Sequence, residues 1–257
     1  MNEILVLKDV SHRYHGKSGE TEAIRKMDLS VHEGEFFGIV GPSGSGKTTL
    51  LSILAGILQP SAGVVERGIS PSEIGYMLQR DHLFEWRTIE ENVLLGLEIR
   101  KIKSAERVDY ALSLLKKYSL GEFVKKKPSE LSGGMRQRVA LIRTLALRPK
   151  LVLLDEPFSA LDFQTRLTVA EDVREIIEAE NVTAILVTHD ISEAIALCDR
   201  IAVLSARPAT VKKIFDNPLE KKLSSIERRE HPDFAALFKE VWKELEFTDE
   251  KDGKKGK

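Results

Sequence analysis

Apolar and polar positions alternate through Ile4–Val10 and again through Ile24–Val31, with a Gly-containing loop around His15–Gly19 between them. A period of two on either side of a turn predicts antiparallel strands. Phe36–Val40 is then a continuous apolar run entering a Gly-rich turn, and from Lys47 to Gly56 and just beyond, Leu50, Leu51, Leu54 and Ile57 recur at helical spacing. The expected order is strand, glycine loop, helix. Thr88 with Glu91 reads as a capping box opening a helix towards Arg100, and Val108, Ala111, Leu112 and Leu115 as the apolar face of the next helix. Residues from about Ser72 to Leu131 therefore read as a mainly helical insert. Strand-like Leu151–Leu154, helical Gln164–Glu180, strand-like Ala184–Thr188, helical Asp190–Cys198 and strand-like Arg200–Ser205 restore the alternation that builds a parallel sheet. After Arg207 come two prolines and a polar stretch. A last helix carries Phe234, Leu237, Phe238, Val241, Trp242 and Leu245 on one face, and the tail Thr248–Lys257 reads as disordered.

The composition of the 257 residues, 42% hydrophobic and 31% charged, suffices for a large core and excludes collagen-like, disulfide-scaffold and wholly disordered chains. Lys plus Arg number 39 against 40 Asp plus Glu, a net charge of -1, so no global basic field gathers nucleic acid or anionic lipid. The lone Cys198 cannot form an internal disulfide and shares a helix face with Ile191, Ala194 and Ile195, which points to core packing. No apolar run reaches membrane-spanning length, and Glu3, Lys8 and Asp9 come too early for a signal peptide. His12, His15, His32, His82 and His231 show no metal-binding spacing, so zinc is not expected.

Three motifs carry chemistry. Gly41-Pro42-Ser43-Gly44-Ser45-Gly46-Lys47-Thr48 matches the phosphate-binding loop between a strand and a helix. Its backbone N–H groups would surround a β-phosphate at the helix N-terminus, Lys47 would face the β- and γ-phosphates, Thr48 would offer a hydroxyl to Mg²⁺, and Thr49 would extend the nucleotide contact. Leu151–Leu154 ends in Asp155-Glu156, which can place Asp155 beside Mg²⁺, through water, and Glu156 near an in-line water. Taken alone, such an acid pair is equally a helix cap or a surface turn. Ser132-Gly133-Gly134 opens the predicted helix Met135–Leu147 and makes a second anion-binding surface or, in isolation, a simple N-cap.

With Tyr14, Gln79, the signature Leu131-Ser-Gly-Gly-Met-Arg-Gln137, Ser159-Ala160-Leu161-Asp162 and His189 in order around those motifs, the stretch from about Ile4 to Val211 resembles the ATP-binding subunits of ABC transporters. The resemblance implies an α/β P-loop NTPase fold with a RecA-like mixed core sheet, an N-terminal antiparallel β subdomain and a helical subdomain carrying the signature. It divides the chain into an ATPase domain over 1–211 with a helical insert at about 80–150, a C-terminal helical extension over 212–247 and the tail 248–257. It implies that Tyr14 stacks on adenine, Gln79 joins Thr48 and Asp155 at Mg²⁺, Glu156 is the general base and His189 contacts the γ-phosphate. The Leu161-Asp162 turn would touch a partner subunit. Ser132, Gly133 and Gly134 would reach in trans, across a head-to-tail dimer, to the ATP held by a second copy.

Tyr76-Met-Leu-Gln79-Arg-Asp-His-Leu83-Phe-Glu-Trp86-Arg-Thr88, Gly133-Gly-Met-Arg-Gln-Arg-Val139 and Leu204-Ser-Ala-Arg207-Pro208 are together similar to the nitrate, sulfonate and taurine importer group, which includes uptake systems for pyrimidine vitamin precursors. Arg80 stands where many members carry an acid, and Phe84-Glu85-Trp86 replaces a commoner Leu-Pro-Trp. Leu83, Phe84 and Trp86 could form a groove for a membrane subunit's short helix or pack inside the insert. The function implied is MgATP hydrolysis coupled to small-solute import, at the cytoplasmic face of the membrane, with permease subunits and, indirectly, an extracytoplasmic binding protein. Two alternatives use the same motor: a soluble ATPase acting in translation or on nucleic acid, and one that extracts lipid or lipoprotein. Nucleic acid is not expected as a partner of the leading reading.

Overall fold

The computed structural model describes residues 2–16 and 19–246, so the predicted tail at 248–257 and part of the loop at 15–19 lie outside the described residues. The chain forms two compact units, one from residues 1–71 and 183–257, the other from 72–182. The first begins with β1 (Glu3–Gly16), β2 (Gly19–His32), β3 (Phe36–Val40), α1 (Lys47–Leu54) and β4 (Ala62–Arg67). The second holds β5 (Ile74–Met77), α2 (Ile89–Ile99), α3 (Ala105–Lys117), α4 (Gly133–Leu145), β6 (Leu151–Asp155) and α5 (Phe163–Ala179). The chain then returns to the first unit with β7 (Thr183–Thr188), α6 (Ile191–Leu197), β8 (Arg200–Leu204), β9 (Val211–Asp216), α7 (Ser225–Glu230) and α8 (Pro232–Glu246).

In the first unit, β1 pairs antiparallel with β2 on one side and β4 on the other. Leu5, Leu7, Val10, Met27, Leu29 and Val31 form the buried face of this sheet, as the two-residue period requires. A second sheet has β3 between β7 and β8, both parallel to it, and β9 closes the far edge antiparallel to β8. All five residues of β3 are buried, which explains their continuous apolar run, since both faces of a central parallel strand are covered. Leu50, Leu51, Ile53 and Leu54 of α1 are fully buried, each contributing roughly 1.5–3 kcal/mol. That burial anchors the helix whose first turn follows the glycine loop.

In the second unit, β5 and β6 pair in parallel, Ile74 with Leu151 through Met77 with Leu154. The Thr88–Glu91 capping box forms in both directions at the start of α2. The fully buried Asn92 ties the preceding loop to α2: its carboxamide oxygen accepts from the Phe84 backbone at 2.7 Å, and its amide donates to the Phe84 and Thr88 carbonyls at 3.1 and 2.9 Å. Glu180, just past α5, accepts from Tyr110 at 3.0 Å, Tyr118 at 2.6 Å and Lys117 at 2.7 Å, fastening α3 and its end to α5.

Several expectations are corrected. The stretch from Ser72 to Leu131 is not helical from its start, because Ile74–Met77 is a strand paired with β6. The buried face of α3 is Ala111, Leu114 and Leu115, and Leu112 sits at its half-exposed flank. Asp190 caps α6 by accepting from the backbone of Ser192 and Glu193, and Thr188 Oγ1 donates to the Glu193 carboxylate at 2.7 Å. Strands β4 and β9 escaped the sequence reading because they are sheet edges: none of β4 is fully buried, and in β9 only Phe215 is. The final helix does not bury one broad face, since Leu237 and Val241 are buried while Trp242 is 49% exposed.

Candidate active site

In the first unit, the turn from β3 into α1 curls around the Lys47 side chain. Lys47 is buried, and its Nζ donates to the carbonyls of Gly41 and Pro42, both at 2.9 Å. Gly44 and Gly46 have φ of 74° and 115°, so the chain reverses through conformations that L side chains rarely adopt. Gly46 has a second reason to be glycine: a Cβ there would lie 2.9 Å from the Ala23 carbonyl oxygen. As the residue before α1, Gly46 offers no side-chain cap, leaving the first-turn N–H groups of the helix to another acceptor. Ser45 Oγ is buried with no hydrogen-bond partner among the described residues. A buried hydroxyl without a partner among the described residues, a helix start with no side-chain cap and a buried ammonium in one loop suit an oxygen-rich anion such as a polyphosphate. Thr48 is exposed at the start of α1.

Tyr14, near the end of β1, is 43% exposed, and its hydroxyl lies 3.1 Å from Thr49 Oγ1, which sets the ring beside the start of α1. His12 packs against it in a T-shaped contact, with ring centroids 4.7 Å apart. His189 follows β7 and is exposed. It lines a cavity of about 280 Å³ together with Gly41, Pro42 and Ser43. The structure thus brings Tyr14, the phosphate loop and His189 together in one unit.

The second unit gathers another group. Asp155 ends β6, buried, with its Oδ2 accepting from the Tyr76 hydroxyl at 3.4 Å. Glu156 follows with φ of 45°, a left-handed conformation that costs a non-glycine residue about 1–3 kcal/mol and persists where the surroundings impose it. Ser159 Oγ donates to the Glu156 carbonyl at 3.0 Å and accepts from Gln79 Nε2 at 3.2 Å, joining three of the sequence candidates in one chain of bonds. Asp162 caps α5 by accepting from Thr165 N at 3.1 Å, and its carboxyl is held below its ordinary value by the hydrogen bonds from Thr165.

Ser132 caps α4, accepting from Met135 N at 3.3 Å. Gly134 is buried where a Cβ would meet Val169 at 2.7 Å, so glycine here lets α4 approach α5 closely. Gln137, one turn further on, donates to the Pro157 carbonyl and binds the helix to the turn after Glu156.

Sequence reasoning gave no role to Tyr76, Asp81, Arg136 or Arg143, yet these hold the site's loops. Arg136 grips Asp81 with two bonds of 3.0 and 3.1 Å and reaches Glu85 at 2.8 Å. Arg143 donates to the backbone carbonyls of Asp81 and His82, both at 2.7 Å. Burial alone would raise the pKa of Asp81, but the Arg136 hydrogen bonds, the Leu83 N–H and the Arg136 and Arg143 charges together bring it below the usual value. Burial pulls the Arg143 pKa down. Arg136 and Arg143 are seven apart on one helix, two turns, and that spacing was the available signal. Of the three residues that could form a groove or pack inside the insert, Leu83 is buried, whereas Trp86 is 72% exposed with its ring 4.7 Å from that of Phe84.

The sequence profile of the family described as ABC transporter matches residues 24–159, more than half of the chain. The chain belongs to the ABC transporter family. It is an ATP-binding, ATP-hydrolysing chain of that family, for which Mg²⁺ is the usual cofactor. The ABC transporter ATP-binding protein YtlC of Bacillus subtilis (strain 168) is 49% identical over 242 residues, covering 92% of this chain and 93% of that protein. The nitrate import ATP-binding protein NrtD of Synechocystis sp. is 39% identical, covering 81% of this chain and 80% of its own. Among solved structures, the dimeric ATP-binding cassette MJ0796 bound to ADP and Pi has a TM-score of 0.68 and 31% identity, covering 84% of this chain and all of that one. No helix among the described residues is long and apolar enough to cross a membrane.

Proposed function

We propose that this chain hydrolyses MgATP as the motor subunit of an importer for a small solute of the nitrate, sulfonate, taurine or pyrimidine-precursor type. The observation that carries the reading is the phosphate loop, where the Ser45 hydroxyl is buried without a partner among the described residues, Lys47 is buried and α1 starts without a side-chain cap, a combination that fits one polyphosphate. In this reading, Gly41–Thr49 hold the triphosphate by backbone N–H groups, Lys47 neutralises charge developing between the β- and γ-phosphates, and Tyr14 stacks on the base. Thr48, Gln79 and, through water, Asp155 would hold Mg²⁺, which when bound would supply positive charge against the negative charge of the phosphates. Glu156 accepts a proton from the attacking water as its oxygen bonds to the γ-phosphorus and the bond to the β-phosphate oxygen breaks, giving ADP and phosphate. His189 steadies the γ-phosphate.

Ser132, Gly133 and Gly134 serve the ATP of a second copy in a head-to-tail pair, a reading supported by the dimeric assembly of the related cassette MJ0796. Trp86, 72% exposed with its ring against that of Phe84, faces a permease subunit at the cytoplasmic side of the membrane, and an extracytoplasmic binding protein supplies the solute indirectly. The nitrate import protein NrtD supports the import direction. The ATPase domain spans 1–211 with a helical insert at 80–150, and 212–247 is an appended extension. The test is Glu156→Gln, which should bind ATP normally, lose nearly all turnover and accumulate an ATP-dependent dimer in light scattering. Near-normal hydrolysis would remove Glu156 from the base role, and a strictly monomeric protein at saturating MgATP would remove the trans role of Ser132–Gly134.

A further inference from the structure

The C-terminal helix α8 walls the cavity beside the phosphate loop. The cavity of about 280 Å³ that Gly41, Pro42, Ser43 and His189 line is completed by Trp242, Leu245 and Glu246. This wall is firmly held. Leu237 and Val241 bury the inner face of α8, and Lys212 of β9 pairs with Glu244 at 3.5 Å while also donating to the Glu244 carbonyl. The Phe238 ring stacks on Trp242 with centroids 6.1 Å apart and planes 12° from parallel. Trp242 nevertheless remains half-exposed, an unusual position for a large aromatic side chain so well braced from behind.

The same extension also holds the helix that follows His189. Arg228 of α7, fully buried, donates to the Ala196 and Cys198 carbonyls at the C-terminal end of α6, at 3.4 and 3.3 Å. Asn217 donates to the Ile195 and Cys198 carbonyls, both at 2.7 Å. The opposite end of α6 is capped by Asp190, the residue next to His189. Residues beyond β9 thus fix α6 at its far end and face His189 across the cavity at its near end.

We propose that Trp242 is a positioning residue of the nucleotide site: it limits where the His189 side chain can go and makes the C-terminal helix responsive to the terminal phosphate of ATP. The inference rests on the reading above that His189 meets the γ-phosphate. Physically, a rigid aromatic wall confines an otherwise exposed imidazole, so the γ-phosphate meets a group already oriented, and the wall in turn registers whether that phosphate is present. ADP, which ends at the β-phosphate, should leave the wall undisturbed.

The chain has two tryptophans, so Trp86→Phe leaves Trp242 as the only indole reporter in the full-length protein. In a Trp86→Phe, Glu156→Gln protein, MgATP should change Trp242 emission and MgADP should not, and adding His189→Ala should erase the difference. Trp242→Ala should lower kcat by about three- to tenfold. The same variant should keep ADP affinity within about twofold, and Trp242→Phe should restore turnover, because a flat ring is what the wall needs. Calorimetry on the same samples separates the failures. Normal ATP binding with identical Trp242 emission in ATP and ADP would overturn this inference alone, as would full turnover in Trp242→Ala. An absence of nucleotide binding would overturn the underlying reading and this inference with it.

Discussion

The loop following Gln79 owes its shape to Arg136, and Arg136→Met should show it. The substitution keeps most of the stem's volume while removing two charge-assisted bonds to Asp81, of 3.0 and 3.1 Å. Both side chains are largely shielded, 24% and 21% exposed, so Asp81 would be left with much of its desolvation and without its partner. Bonds to charged groups contribute about 1.5–3 kcal/mol, and breaking a fully buried pair costs about 3–5 kcal/mol. The residual exposure places this loss at about 2–3 kcal/mol, a shift of roughly 5–10 °C in thermal midpoint for a chain of this size. The pH dependence has a definite sign. Because Asp81 titrates below its ordinary value of 3.8 in the folded chain, the pair contributes fully above that value and is lost as pH falls through the depressed pKa. The gap between wild type and Arg136→Met should therefore be constant near neutrality and close in acid. A double-mutant cycle with Asp81→Asn, followed by thermal unfolding, isolates the pair. A coupling below about 0.5 kcal/mol, or a gap that does not shrink in acid, would refute the reasoning.

Lys47→Ala should abolish nucleotide binding in calorimetry, whereas Tyr14→Phe, which loses only the hydroxyl contact with Thr49, should cost at most about 1 kcal/mol. Gly46→Ala must adopt φ of 115° and bring a Cβ to 2.9 Å from the Ala23 carbonyl, so thermal unfolding should show a loss of about 1–3 kcal/mol together with weakened ATP binding. Burial, and then the hydrogen bond to Glu180, push the Tyr110 hydroxyl up from 10.0 to about 12. Ultraviolet titration should find it ionising late, and Glu180→Gln should bring it down. The stability that this contact adds should be present below pH 10.0 and be lost as pH rises towards about 12.

What the sequence determined by itself was whatever short-range chemistry encodes. The run Phe36–Val40 followed by Gly41–Thr48 specifies a buried strand, a glycine turn and a helix, because backbone conformation and burial there depend on neighbours a few residues away. The capping box of Thr88 and Glu91 is equally local. Tertiary structure alone decided the rest. Ile74–Met77 is too short to declare itself a strand until β6 lies beside it, and β9 shows little alternation because an edge strand buries so little. Asp81 and Arg136 stand 55 positions apart, and no local pattern distinguishes such a pair from two solvated charges. Trp242 lay in a plausible helical stripe with Leu237 and Val241, but burial of those two and exposure of the indole depend on which strands and helices the last helix packs against. Long-range packing placed that ring beside the phosphate loop, some two hundred residues earlier in the chain, because the returning strands β7 and β8 flank β3.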